Sequence, residues 1–310
     1  MTLPSTALEE TLLRAWNPWR AVVLMAASLP LAGCVPAVLD PAGPVGTQEK
    51  MILLDSVGIM LVVVVPTIIA TLAFAFWYRA SNPKARRLPD FEYSGRIEMV
   101  VWSIPILVII FLGGLAWVSS HELDPAKPLA SPNKPLEVQV VSLDWKWLFV
   151  YPQQGVASVN ALTIPAGVPV HFSLTSASVM NTFFVPQLGG MIYTMNGMAD
   201  QLNLQADHPG TYYGESGHYS GDGFSDMNFK VNAVSPQDFA AWVQKTHGAG
   251  PTLDGGAYQA LAKQSIKVTP FTYGAADPNL FQAIVSQTQT PGPGPQTGQP
   301  TAQVSPRTRS

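Results

Sequence analysis

The sequence predicts an α+β membrane protein: a two-helix transmembrane hairpin, then an extracytoplasmic β-sandwich, then short helices. Three observations predict it. Two long stretches in the first 120 residues carry no charge, in a chain of 310 residues in which only 12% are charged. The texture changes near Pro135 to short strand-like runs separated by Gly, Pro and Asn. Helical patterning returns after Ser235-Pro236, and the last residues are a Pro-, Gly- and Gln-rich tail. The formal net charge of −3 gives no basic footprint for nucleic acid.

In chain order, residues 1–33 read as a signal peptide. Arg14 and Arg20 form a basic region, and Ala21 to Ala32 is an apolar stretch too short to span a bilayer. It ends in Leu31-Ala32-Gly33-Cys34, which resembles the lipobox of bacterial lipoproteins. The mature chain would begin at Cys34 with its sulfur acylated, and several acyl chains anchor a protein stably. Cys34 is the only cysteine, so neither an internal disulfide nor a two-cysteine metal site can form within the chain.

Residues 34–121 then hold the lipid anchor and two spans, at about 55–78 and 97–119. Ser56 to Tyr78 and Met99 to Ser120 are both uncharged and longer than the about 20 residues a spanning helix needs. Pro66 and Pro105 are tolerated where neighbouring helices satisfy the backbone, and Trp77, Tyr78, Trp102 and Trp117 lie near span ends. The loop 79–96 carries Arg79, Lys84, Arg86, Arg87 and Arg96 against Asp90 and Glu92. Short positively biased loops stay in the cytoplasm, which puts both flanks outside.

Residues 135–234 read as one domain. Leu136 to Val141 alternates in part, as a half-buried strand does. Val170 to Leu174, Asn181 to Val185 and Met227 to Val231 continue the pattern, suggesting an antiparallel sandwich or barrel. Residues 235–286 predict a helical extension, with Ser235 as N-cap, Pro236 at the first helical position and a second helix at Tyr258 to Lys263. From 287 to 310 the composition cannot support a core, and a disordered tail is expected.

Several segments, in order, carry a resemblance: Arg96-Ile-Glu-Met-Val-Val-Trp-Ser-Ile-Pro105, Asp144-Trp-Lys-Trp147 with Tyr151-Pro152, Val185-Pro-Gln-Leu-Gly189, Met195-Asn-Gly-Met198 and Pro209-Gly-Thr-Tyr-Tyr-Gly214. Behind two spans they resemble subunit II of haem-copper oxidases, from the lipobox to about Ser286. The resemblance implies that the outer domain is a cupredoxin-like Greek-key sandwich. Members that take electrons from cytochrome c hold two coppers there, on two histidines, two cysteines, a methionine and a glutamate carbonyl. Thiolates with borderline donors suit such a pair. The family's first histidine lies just before the Val-Pro-x-Leu-Gly segment, where this chain has Asn181; aligned on Tyr212-Tyr213-Gly214, Ser216 and Ser220 fall at the cysteines, His218 at the glutamate and Phe224 at the second histidine. Only Met227 keeps its type, and a core role explains it equally well. His171, His208, His218, Glu215, Asp222 and Asp226 form no compact metal motif, so no metal is expected.

Within the family this loss marks the quinol oxidases, and the chain is similar to subunit II of the cytochrome bo-type ubiquinol oxidases. The resemblance implies a non-catalytic subunit of a proton-translocating complex in the bacterial inner membrane, with the sandwich on the periplasmic side. The complex would oxidise ubiquinol and reduce oxygen to water. Haem b, haem o or a, and CuB would lie in subunit I, the main partner, with subunits III and IV beside it and no role for cytochrome c. Trp145 and Trp147 would pack either against that partner or in the sandwich core. Glu98 matches a family carboxylate at the mouth of a proton-uptake path, although an acid in a first helical turn is also favoured by the helix dipole. The alternatives are a lipoprotein that merely displays a β domain, which would purify without haem subunits, and a copper-bearing electron-transfer subunit of a cytochrome c oxidase, which metal analysis and a near-infrared copper band would reveal.

Overall fold

The computed structural model describes residues 37–86 and 90–292. The expected signal peptide, Cys34 and the tail beyond Gly292 therefore lie outside the described residues. Up to Asp40 the described chain forms one short 3-10 turn, Ala37–Leu39.

Two helices follow, α1 (Pro44–Trp77) and α2 (Gly95–Glu122). Both are apolar enough to cross a membrane, and their apolar windows are unburied within the chain. Helix α1 starts earlier than the uncharged stretch indicated. Pro44 supplies a fixed φ at the first helical position, and the turns before Asp55 extend the helix by about 16 Å beyond its apolar part. That extension is clamped to the sandwich. Ala42 N–H donates to Gln187 O at 2.7 Å, Gly46 N–H donates to Leu188 O at 3.1 Å, and Asp207 N–H donates to Ala42 O at 2.8 Å. Around Pro66, Thr67 and Thr71 hydroxyls donate to the carbonyls four residues back, each at 2.7 Å.

The strands are β1 (Leu136–Leu143), β2 (Lys146–Tyr151), β3 (Val156–Val159), β4 (Ala161–Pro165), β5 (Val170–Ser176), β6 (Asn181–Phe184), β7 (Ile192–Thr194), β8 (Asp200–Leu204), β9 (Gly210–Ser216) and β10 (Asn228–Val234). They continue into α3 (Pro236–Thr246), β11 (Thr252–Leu253), α4 (Gly255–Leu261), β12 (Phe271–Tyr273), β13 (Ala275–Ala276) and α5 (Leu280–Val285). One sheet has the order β12-β3-β2-β1-β5-β8, the other β4-β10-β9-β6-β7. The expected antiparallel sandwich is thus mixed. β1 runs parallel to β5 and β4 parallel to β10, because the chain changes sheet between β3 and β4 and again between β4 and β5.

Aromatic rings fill the space between the sheets. Phe183 stacks on Phe229 at 5.2 Å, and Trp147 meets both rings at 5.5 Å. A second apolar layer lies on the opposite face of the first sheet, where Leu143, Leu148, Val150 and Val159 meet Tyr258, Leu280, Phe281 and Ile284.

The extension supplies that second layer, and it is not simply helical. β12 pairs with β3, Phe271 opposite Val159, because β3 would otherwise be an open edge. Its start agrees with the capping pattern: the Ser235 hydroxyl accepts from Asp238 N–H at 3.1 Å. Its end runs past Ser286, where Gly292 N–H donates to Ala177 O at 2.9 Å.

Candidate functional site

The positions singled out at one end of the sandwich are brought together by β6, β9 and the loop from Gly217 to Met227. Asn181 opens β6 and is fully buried. Ser216 closes β9, and its hydroxyl contacts Asn181 Oδ1 at 3.1 Å and His218 O at 3.3 Å. The backbone holds the same strands in register, with Ser216 N–H donating to Met227 O at 3.1 Å and Gly217 N–H to Thr182 O at 3.3 Å. Ser220 directs its hydroxyl at Met227 Sδ, 3.9 Å away. Met227 is 2% exposed and belongs to the inter-sheet core.

His218 turns away from this group and meets the Tyr193 ring edge-on at 6.1 Å. Phe224, in the turn Phe224–Asp226, packs against Tyr219 at 5.7 Å. Chemically, the site presents one amide, two hydroxyls and a thioether, whose polar atoms are engaged with one another. Among the described residues neither a thiolate nor an imidazole joins it, so this donor set does not fit a dinuclear copper centre. Among the described residues, no three His, Cys, Asp or Glu side chains gather as a metal site would require. His171 instead pairs with Asn203 Oδ1 at 3.0 Å through Nδ1, and His208 offers its carbonyl to the Tyr212 hydroxyl at 2.7 Å.

Trp145 and Trp147 both belong to the sandwich itself rather than to a partner's surface. Trp147 is fully buried in the inter-sheet core. Trp145 takes a left-handed φ of 64°, which turns its ring under the loop, and its indole N–H donates to Ser220 O at 3.1 Å. Gly223 is required there, since an added Cβ would stand 2.5 Å from that indole.

Sequence reasoning missed the role of Lys146 between them. Its side chain is 1% exposed, and Nζ donates to Lys263 O at 2.8 Å, Ser265 Oγ at 2.7 Å and Asp144 O at 3.2 Å. Burial pulls its pKa down to about 8, while the negative charge of Asp144 opposes the shift. Asp144 in turn accepts from the Ser178 hydroxyl. A lysine flanked by two tryptophans at the start of an apolar strand was the available signal.

Glu98 lies in the first turn of α2, exposed, and accepts from Trp102 Nε1 at 3.1 Å. Cys34 lies outside the described residues.

Two apolar helices ahead of a cupredoxin-like sandwich define the second-subunit class of haem-copper oxidases. Residues 136–234 match the family model for the cytochrome c oxidase subunit II periplasmic domain, and residues 248–292 match the COX aromatic-rich motif. The chain is 49% identical to a ubiquinol oxidase subunit 2 from Acetobacter aceti over 85% of its own length and 86% of that protein. It is 46% identical to a cytochrome bo(3) ubiquinol oxidase subunit 2 from Pseudomonas aeruginosa, covering 87% of this chain and 82% of the relative. A quinol oxidase subunit 2 from Bacillus subtilis is 38% identical, over 81% and 79% of the two chains. The chain belongs to the ubiquinol oxidase subunit 2 family.

Proposed function

We propose that the chain is the outer, non-catalytic subunit of a proton-translocating ubiquinol oxidase, seated in the bacterial inner membrane with its sandwich on the periplasmic side. Its main partner is the subunit I that carries haem b, haem o or a, and CuB, with subunits III and IV completing the complex. Electrons enter that partner from ubiquinol, not through this chain from cytochrome c. One observation carries the reading: Asn181, Ser216, Ser220 and Met227 direct their polar atoms at one another, where copper-bearing relatives need thiolates and imidazoles. The family's names for its members support the same assignment.

Mild-detergent purification through this chain tests it. The expected product contains haem, copper confined to CuB, and quinol-driven oxygen uptake. A near-infrared dinuclear copper band, or oxygen uptake driven by a c-type donor, refutes it.

Two further roles belong to the proposal. Cys34 is the lipidation site, released by cleavage after residue 33. Glu98 feeds a proton-uptake path, being a carboxylate at a membrane edge in contact with water. Glu98→Ala then slows proton-coupled turnover of the purified complex while haem content and assembly stay intact. Unchanged turnover leaves Glu98 with only its helix-start role.

A further inference from the structure

A cavity of about 350 Å³ opens where both helices meet the underside of the sandwich. The first turns of α1, the end of α2 with its linker, and Gly190 to Met191 of the sandwich wall it. Four charged side chains line it, Glu49, Glu122, Asp124 and Lys127, among apolar ones such as Leu123. The linker is held in place, because Asn203 donates to Pro125 O through both its backbone N–H, at 2.9 Å, and Nδ2, at 3.1 Å. Room on the sandwich side depends on Gly190, where an added Cβ would stand 2.7 Å from Glu49 Oε1.

Depth identifies the class of ligand. Glu122 follows the uncharged stretch of α2 by about 3 Å of helix, and Glu49 precedes that of α1 by about 10 Å. The headgroup layer adds about 5–7 Å to each side of the hydrocarbon core. The cavity therefore opens within the headgroup layer at Glu122 and ends just above it at Glu49, within reach of a lipid that keeps its tails in the bilayer. Its volume lies at the low end of the ligand-pocket range, about 300–1,000 Å³, suited to a headgroup rather than a whole lipid. Three carboxylates against one lysine favour a headgroup carrying an ammonium beside its phosphate and disfavour a purely anionic one.

We propose that this cavity holds the headgroup of an outer-leaflet phospholipid with a primary ammonium, the ammonium facing Glu49, Glu122 and Asp124 and the phosphate facing Lys127. The assignment rests on the membrane orientation proposed above.

The intact oxidase complex in nanodiscs tests it, using photoreactive phosphatidylethanolamine and, separately, photoreactive phosphatidylglycerol with the same acyl chains. The expected result is labelling of residues 44–49 and 122–130 by the ethanolamine probe, about tenfold above the glycerol probe, a ratio equivalent to 1.4 kcal/mol. The triple variant E49Q/E122Q/D124N is expected to lose that preference. Equal labelling by both probes, labelling elsewhere, or an unchanged preference in the triple variant overturns the proposal. Should the triple variant fail to assemble, competition in the wild-type complex decides: unlabelled phosphatidylethanolamine must suppress the label and unlabelled phosphatidylglycerol must not. Haem content and quinol-driven oxygen uptake of the same preparation report on the oxidase reading separately. Their loss with lipid labelling intact refutes that reading and not this one.

Discussion

The Ser216 hydroxyl and the Asn181 carbonyl form a buried polar pair in which each satisfies the other. Ser216→Ala removes the donor and leaves a buried carbonyl short of a partner, which costs about 1–3 kcal/mol. Thermal unfolding of the purified complex should register that loss while quinol-driven turnover stays at the wild-type level. The positions of these residues were legible through the family resemblance, but their mutual hydrogen bonding was not, because an alignment carries no side-chain direction. Lys146 was less legible still, since its acceptors come from residues more than a hundred positions away. Its pKa near 8 lies below the unfolded value of about 10.4. Between these values the folded state binds fewer protons than the unfolded one, so the lysine's contribution to stability rises with pH. Tyr258 acts in the opposite direction. Burial first, and the charge of Asp144 second, raise its pKa, so its contribution falls once pH passes the unfolded tyrosine value of about 10. Lys146→Met should therefore flatten the pH dependence of unfolding between about pH 8 and 10. An unchanged slope in chemical denaturation over that window removes the argument.

Among the elements, β1 and β2 explain why strand patterning was only partly visible. The last four residues of β1 and all six of β2 are buried, since the sandwich core covers one face and the extension covers the other. A strand buried on both faces loses its polar alternation and reads as a plain apolar run. The extension has its expected short helices, but β12 and β13 are only three and two residues long, shorter than any periodicity can reveal. Removing residues 248–310 would uncover Leu143, Leu148, Val150 and Val159 and take away two of the three Lys146 hydrogen bonds. An exposed apolar face of that kind favours association, so the truncated chain should aggregate or be degraded. Pulse-chase levels and size-exclusion behaviour beside the full chain would check it, and a soluble, monodisperse truncation would contradict the packing described above.

For the whole molecule, the helix hairpin and the sandwich are one mechanical piece because α1 is built into the outer domain before it enters the apolar layer. Gly43 marks the closest approach, since an added Cβ would stand 2.0 Å from Gln205 O. No local pattern could announce that contact, whereas the two spans and the charge of their loop were plain in the sequence. The same charge bias predicts the sidedness of the assembly. Five basic residues between the spans face two acidic ones, and short loops with such a bias are retained on the cytoplasmic side. Cysteines placed at the exposed positions Lys84, between the spans, and Lys134, ahead of β1, read this out. In intact spheroplasts a membrane-impermeant maleimide should label Lys134→Cys at once and Lys84→Cys only after permeabilisation, with the unsubstituted chain reporting any background from Cys34. The reverse order would put the sandwich in the cytoplasm. It would remove the outer-leaflet placement of the cavity and the periplasmic placement of the domain together, because α1 is clamped to the sandwich at the end of the hairpin opposite that loop.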